Sequence, residues 1–308
     1  MRGILLMIGA TICFSVMHAL IRYLSGELHP FEIAFFRNLF GGLVLLPWFV
    51  RHGLAPLKTE RFGLHGLRAG INVFAMLTFF YALSITPLAE VAALSFTGPI
   101  FATILAIVFL GEVVRMRRWV AILLGFAGTL VVIRPGFESV GPGALMVVAS
   151  AAIWSCALIV IKVLLRTESS VTVTAYTVVL LAPLSLIAAV FVWQWPSLGQ
   201  VLYLCAIGVI GTIGQLLMTE ALKGADTNVV MPVDFLKMIW AVTLGWFFFA
   251  EAPGLFTWIG AAMIFASTSY IAYRENKLRK SAAAPPGASG PGPDSAAGHD
   301  THSRSESV

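Results

Sequence analysis

Thr227 to Glu251 reads TNVVMPVDFLKMIWAVTLGWFFFAE. Its length and apolar character suit one membrane-spanning helix, which takes about 20 mostly apolar residues. Yet Pro232, Asp234 and Lys237 fall within six residues near its middle. Ionisable groups at membrane depth are costly and face a bundle interior or a wet cavity. At a spacing of i to i+3, Asp234 and Lys237 project from one helical face. Pro232 cannot donate a backbone hydrogen bond and crowds the carbonyl of Asn228, so a kink or local unwinding is expected there. Two readings stand. The pair is a binding site beside a broken turn, or it is an internal ion pair that locks this helix to its neighbour.

Working outward, the whole chain reads as a protein whose solvent is lipid. Of its 308 residues 58% are hydrophobic and only 11% charged, against about 25% charged in soluble domains. Mean hydropathy is +0.89. Ten segments are long and apolar enough to span, roughly 3–23, 31–50, 66–85, 88–111, 118–134, 142–164, 172–193, 199–222, 227–250 and 254–273. Irregular backbone cannot face lipid, so these are helices, and the fold class is an all-α integral membrane protein.

The net charge of +5 argues for topology rather than for nucleic acid. With the N-terminus in the cytoplasm, 15 Lys and Arg fall inside before the distal tail, among them Arg51, Arg61, Arg117, Arg166, Lys223 and Lys277. Only Arg22 and Arg134 then fall outside. The positive-inside bias therefore orients both termini to the cytoplasm, N-in and C-in. Trp193 and Trp195 end the seventh span where an outer aromatic belt belongs. Cys13, Cys156 and Cys205 lie in apolar spans without metal-ligand spacing. The first apolar run, to about Leu24, is longer than a signal-peptide core, and no cleavable signal is expected. Residues 281–308 are Ala, Pro, Gly and Ser with scattered charges, a composition expected to be a disordered cytoplasmic tail.

The chain is duplicated. A shift of 139 places Val91 on Val230, Phe96 on Phe235, Phe109 on Phe248, Glu112 on Glu251 and Trp119 on Trp258 without a gap. A shift of 140 places Gly3 on Gly143, Ser15 on Ser155 and Arg22 on Lys162. Each copy holds five spans, 3–135 and 141–273, and an odd number turns the second copy upside down in the bilayer. Two inverted halves around a central site are the design of many secondary transporters.

Two sets of motifs, one in each copy, also resemble a known family. Tyr81-Ala82-Leu83 through Pro87-Leu88-Ala89-Glu90, then Pro99, then Phe109-Leu110-Gly111-Glu112 resembles the end of an EamA domain of the drug/metabolite transporter superfamily. Leu244-Gly245-Trp246 through Ala250-Glu251 and Trp258-Ile259-Gly260 is similar to the second copy. The resemblance covers about residues 3–273. It implies ten helices and carriage of small metabolites, commonly export of amino acids, with some relatives importing S-adenosylmethionine or riboflavin.

The expected substrate contacts are Asp234, Lys237, Arg37, Asn72, His18 and Trp240. Arg37 keeps its charge and either clamps a carboxylate or phosphate, snorkels outward, or pairs with Glu90. His18 is a proton relay or a histidine bonded to a carbonyl. Asn72 bonds substrate or cross-links helices. Trp240, with Phe79, Phe80, Tyr81, Trp154 and Phe235, lines a cavity for an aromatic or cationic ligand, or is packing. The expected gating or coupling residues are Glu90, Glu220, Pro232 and Pro99. Glu90 is an outer gate or a solvated helix-start acid; Glu220 is an inner gate or a partner of Lys223. Gly98-Pro99 should kink the fourth span and free the carbonyl of Ser95. Glu112 and Glu251 are read as ties between helix ends and loops, outside the substrate site. Gly125 and Gly128, and Gly208, Gly211 and Gly214, are close-packing positions.

No enzyme signature is present: no metal-spaced His/Cys cluster, no P-loop and no Gly-x-Ser-x-Gly elbow. The expected function is a secondary transporter of a small polar metabolite, an amino acid or related compound, working by alternating access in the efflux direction. The alternative within transport is uptake of S-adenosylmethionine or a vitamin such as riboflavin. The alternatives of another class are a lipid-linked intermediate flippase and a non-transporting membrane scaffold. Expected partners are the substrate and membrane lipids, with a homodimer left open; no cofactor and no nucleic acid are expected.

Overall fold

The structure, a computed structural model, describes residues 2–52, 59–110, 116–133, 141–164, 167–168, 170–224, 233–234 and 236–283. The described residues are helical apart from short turns and connections. In order the helices are α1 (Arg2–Leu24), α2 (Pro30–His52), α3 (Phe62–Ile85), α4 (Leu88–Ser95), α5 (Gly98–Leu110) and α6 (Met116–Ile133). The second half supplies α7 (Pro142–Leu164), α8 (Ser170–Val190), α9 (Leu198–Gly224), α10 (Leu236–Phe249) and α11 (Leu255–Ala283). Every expected span carries a helix, with α4 and α5 sharing the fourth. α1, α3, α7 and α9 contain stretches long and apolar enough to cross a membrane by themselves.

The fourth span breaks where Gly98-Pro99 predicts. α4 stops at Ser95 and α5 starts at Gly98. Pro99 has no N–H for the Ser95 carbonyl, so the i→i+4 ladder cannot run through. The turn closes with tighter bonds, Phe96 N–H to Ala93 O and Thr97 N–H to Leu94 O. The Gly98 carbonyl accepts from Ser155 Oγ on α7 at 2.9 Å. The expected break at Pro232 lies outside the described residues, as do Glu112 and the chain from residue 284. Ser281 to Ala283 are helical, so α11 runs past the boundary expected for the tail. The reason is local: this Ala-rich segment carries on the helix that Arg274 to Lys280 already form, and Ala is the strongest helix former.

Packing obeys the duplication. Exchanging the halves turns α1 into α7, α2 into α8, α3 into α9, α4 with α5 into α10, and α6 into α11. The α1–α9 pair thereby becomes the α7–α3 pair, and α1–α10 becomes α7–α4/α5; both members of each are present. The α2–α8 and α6–α11 pairs map onto themselves. The core lies between the halves and holds Ile21, Leu24, Ile33, Leu83, Leu94, Ile100, Leu204 and Ile264. Large apolar side chains also cover the outside, including Leu43, Phe74, Leu123, Ile187, Phe247 and Phe248. In water such a surface marks a docking face; over a whole helical bundle it is a lipid face. Hydroxyls inside are silenced locally, Thr129 donating to Gly125 O, Ser155 to Ala151 O and Ser185 to Leu181 O.

Glycines set the closest crossings, as expected. A Cβ on Gly260 of α11 would lie 2.6 Å from Gly128 O of α6, and one on Gly128 would lie 2.9 Å from Gly260 O. Between α9 and α2, a Cβ on Gly208 would lie 2.8 Å from Gly41 N and 3.0 Å from Arg37 O. Without hydrogens in place of side chains these backbones could not meet.

Candidate functional site

One stripe of α1 organises the interior. Thr11, Phe14, His18 and Arg22 recur every three or four residues, the spacing of one helical face. This face meets α10 from the other half and α3 from its own. Thr11 Oγ1 accepts from Trp240 Nε1 of α10 at 3.2 Å. Lys237 Nζ of α10 sits 5.0 Å from the centroid of the Phe14 ring, a cation–π distance. The His18 ring packs against Phe79 of α3 at 5.2 Å between centroids. Phe14 lies about halfway along α1, so the cluster sits at mid-depth.

Asp234 and Lys237 form the ion pair that their spacing predicts, with Lys237 Nζ 2.5 Å from Asp234 Oδ1. Their side chains keep 22% and 25% of their accessible surface, while Asp234 Oδ1 itself is buried. His18 and Arg37 are likewise only partly buried. Arg37, on α2, donates from Nη1 to the Asn38 amide oxygen at 2.9 Å, and its Nε is buried without a hydrogen-bond partner. Asn38 in turn donates to Ser185 Oγ of α8 at 3.2 Å. Asn38→Leu removes that interhelical bond and the amide that holds Arg37. The expected result is a loss of about 1–2 kcal/mol in stability, the scale of a polar link between membrane helices, read as a lowered unfolding midpoint in detergent.

The remaining expected residues fall into three groups. Asn72 is half-buried on α3, seven positions before Phe79 and therefore on the same face two turns away. Glu90 is half-buried in the first turn of α4, and Glu220 is exposed on α9. Pro99 is helical at the start of α5, while Pro232 lies outside the described residues. Among the rings expected either to line a cavity or to serve as packing, Phe80 is packed in the core and Trp154 is 42% exposed on α7. Both placements have one cause. On a membrane helix the core face and the lipid face are equally apolar, so ring identity does not tell which way a ring points.

The tie predicted for Glu251 is made, and it reaches further than a neighbouring loop. Glu251 Oε2 accepts from Leu88 N at 2.9 Å, capping α4 where Pro87 offers no side chain to do so. Its other oxygen pairs with Arg22 of α1. Arg22 also donates to the carbonyls of Leu83 and Thr86 and lies over the Phe249 ring at 5.4 Å. Ala250 holds a φ of 53°, unusual for a residue with a side chain, as the backbone turns to present Glu251. Sequence reasoning gave Arg22 no partner. The helical stripe it shares with Thr11 and His18 was the signal available.

A bundle of duplicated helical halves, with charged and aromatic side chains gathered at mid-depth between them, defines a multi-pass membrane transporter. The chain belongs to the EamA-like transporter family, which matches residues 1–134 and 141–273. It is 34% identical over 256 residues to the S-adenosylmethionine uptake transporter of Rickettsia bellii, covering 83% of this chain and 88% of the relative. It is 31% identical over 283 residues to the riboflavin transporter of Vibrio cholerae, covering 90% of this chain and 95% of the relative. A crystal structure with 20% identity superposes with a TM-score of 0.61 over 90% of this chain and 98% of that one, and shares the fold. The protein is a transporter and not an enzyme, an integral protein of the bacterial inner membrane.

Proposed function

We propose that the protein imports a ring-bearing metabolite of the S-adenosylmethionine or riboflavin class by alternating access. Ten spans form two inverted repeats, 3–135 and 141–273, with both termini in the cytoplasm. The observation that carries the reading is the stripe where Thr11 and Phe14 of one half meet Trp240 and Lys237 of the other. A site shared by the halves is exposed to one side or the other as they rock. Aromatic faces with a few convergent polar groups suit a ring-bearing ligand. Efflux of an amino acid, the leading expectation from sequence, gives way to uptake because the relative matched at 34% identity is named for it.

In this orientation the Arg22–Glu251 contact closes the periplasmic end. His18, Asn72 and Arg37 line the path, and Glu90 and Glu220 stand nearer its two mouths. The test is accumulation of labelled S-adenosylmethionine and of labelled riboflavin by cells that lack uptake of either. Expression should raise uptake of one of them at least tenfold over empty vector. Equal uptake with and without the protein, for both compounds, would sink the reading.

A further inference from the structure

Resting on the alternating access of that reading but on neither of its substrates, we propose that Glu32 is a proton-binding site. Its protonated carboxyl latches the α8–α9 connection onto α2, and its ionised form releases it. Glu32 lies in the first turn of α2. α1 ends where α2 begins, so Glu32 shares its end of the bundle with the Arg22–Glu251 contact. Its side chain is fully buried. Oε2 accepts from Gln194 N of the other half at 3.2 Å, and Oε1 is buried without a hydrogen-bond partner. Beside Gln194, Trp193 packs on Phe35 and Phe36 at 5.8 and 5.6 Å between ring centroids.

No described cation pairs with this carboxyl. α2 packs against α8 and α9, and the chain has no Asp, Glu, Lys, Arg or His between Glu168 and Glu220. The ionisable side chains of that stretch are Tyr176, Tyr203 and Cys205, all neutral near pH 7 by their ordinary values. From residue 69 to its end, α3 adds only Tyr81. On α1, Arg22 is bound to Glu251, His18 packs on Phe79, and Tyr23 packs on Tyr203. Glu27 accepts from Gln200 Nε2 at 2.8 Å, and Arg37 donates to Asn38. Even the first-turn N–H groups that would steady an anion are taken. Phe31 N donates to His29 Nδ1, and the N–H groups of Glu32 and Ile33 to His29 O.

A buried carboxylate with one hydrogen bond and no cation is far costlier than the neutral acid, which leaves only a hydroxyl unbonded. While the connection lies on α2, the site therefore holds a proton. When the halves part at this end, the carboxyl meets water, where it ionises at neutral pH. Opening thus releases a proton and closing takes one up, and by reciprocity acid favours the closed end. In the proposed orientation that end faces the periplasm. Glu251 is the contrast: paired with Arg22, it needs no proton to stay inside.

The experiment is hydrogen exchange of the peptide over residues 191–198, read by mass spectrometry on purified wild-type and Glu32→Gln proteins. It runs from about pH 5 to about pH 8.5, a range over which buried carboxyls titrate. Glutamine copies the neutral acid, since its amide oxygen still accepts from Gln194 N. The wild-type to variant ratio at each pH cancels the intrinsic pH dependence of exchange. That ratio should stay near one at the acid end and reach at least fivefold at the alkaline end. A flat ratio overturns the proposal and leaves Glu32 a fixed acid. Where Glu32→Gln gives no folded protein, wild-type exchange is divided by the random-coil rate at each pH, with the same rise expected and the same flat result against it. Exchange needs no substrate. A rising ratio without uptake of S-adenosylmethionine or riboflavin keeps the latch and removes the proposed function; a flat ratio with uptake removes the latch alone.

Discussion

Arg22→Ala should lower stability by about 3 kcal/mol, the scale for removing one partner of a buried ion pair. Four groups lose their partner at once. Glu251, 16% exposed, keeps a negative charge with no cation beside it. The carbonyls of Leu83 and Thr86, which end α3, lose their donor, and the Phe249 ring loses its cation. Glu251→Gln should cost less, because an amide oxygen still accepts from Leu88 N and still caps α4. The double variant Arg22→Ala, Glu251→Gln should recover part of the single loss, since no orphaned charge remains. Unfolding midpoints of the four proteins in one detergent measure this cycle. Additive losses would show that the two side chains act independently. In the proposed orientation and under alternating access, the same variants loosen the periplasmic end, so a cysteine at Leu88 should react faster with an impermeant maleimide in Glu251→Gln cells than in cells with Glu251 intact.

Much of this architecture was legible before any coordinates. Hydropathy marks the segments that carry the helices, because a backbone in lipid must satisfy its own hydrogen bonds. Gly98-Pro99 locates the broken helix to the residue, and the Glu112/Glu251 repeat points to a structural tie that Glu251 makes. The Asp234–Lys237 pair follows from spacing alone. What stayed hidden is sidedness. In water an amphipathic pattern tells which face is buried; in lipid both faces of α3 and α7 are apolar, so Phe79 against His18, Phe80 in the core and Trp154 on the outside look alike. Long-range partners were hidden too. Arg22 and Glu251 stand 229 residues apart, and only the packing of α1 beside α10 brings them together. The polar stripe of α1 is an intermediate case. Thr11, His18 and Arg22 carry a readable period, but Phe14 between them draws no notice until Lys237 is seen above it.

Packing between the halves depends on backbone contact, which makes Gly208→Ala the second large effect. The added methyl would lie 2.7 Å from Phe40 Cβ, 2.8 Å from Gly41 N and 3.0 Å from Arg37 O. Two of these three neighbours are backbone atoms of α2, which cannot rotate away, so α2 and α9 must separate. Overpacking typically costs about 1–3 kcal/mol, and the upper end is expected here because no flexible side chain can absorb the clash. The effect should extend to transport. Arg37 belongs to the same turn of α2, so moving that turn by even a fraction of an ångström displaces its guanidinium from the path proposed for the substrate. Gly70→Ala is the control: it also sits inside a helix, α3, but its added methyl would meet nothing within 4 Å. That variant should keep wild-type stability and uptake, since alanine is the better helix former. Unfolding midpoints and initial uptake rates, measured side by side, separate the two. A Gly208→Ala protein as stable and as active as Gly70→Ala would mean that α2 and α9 do not cross as closely as the distances require.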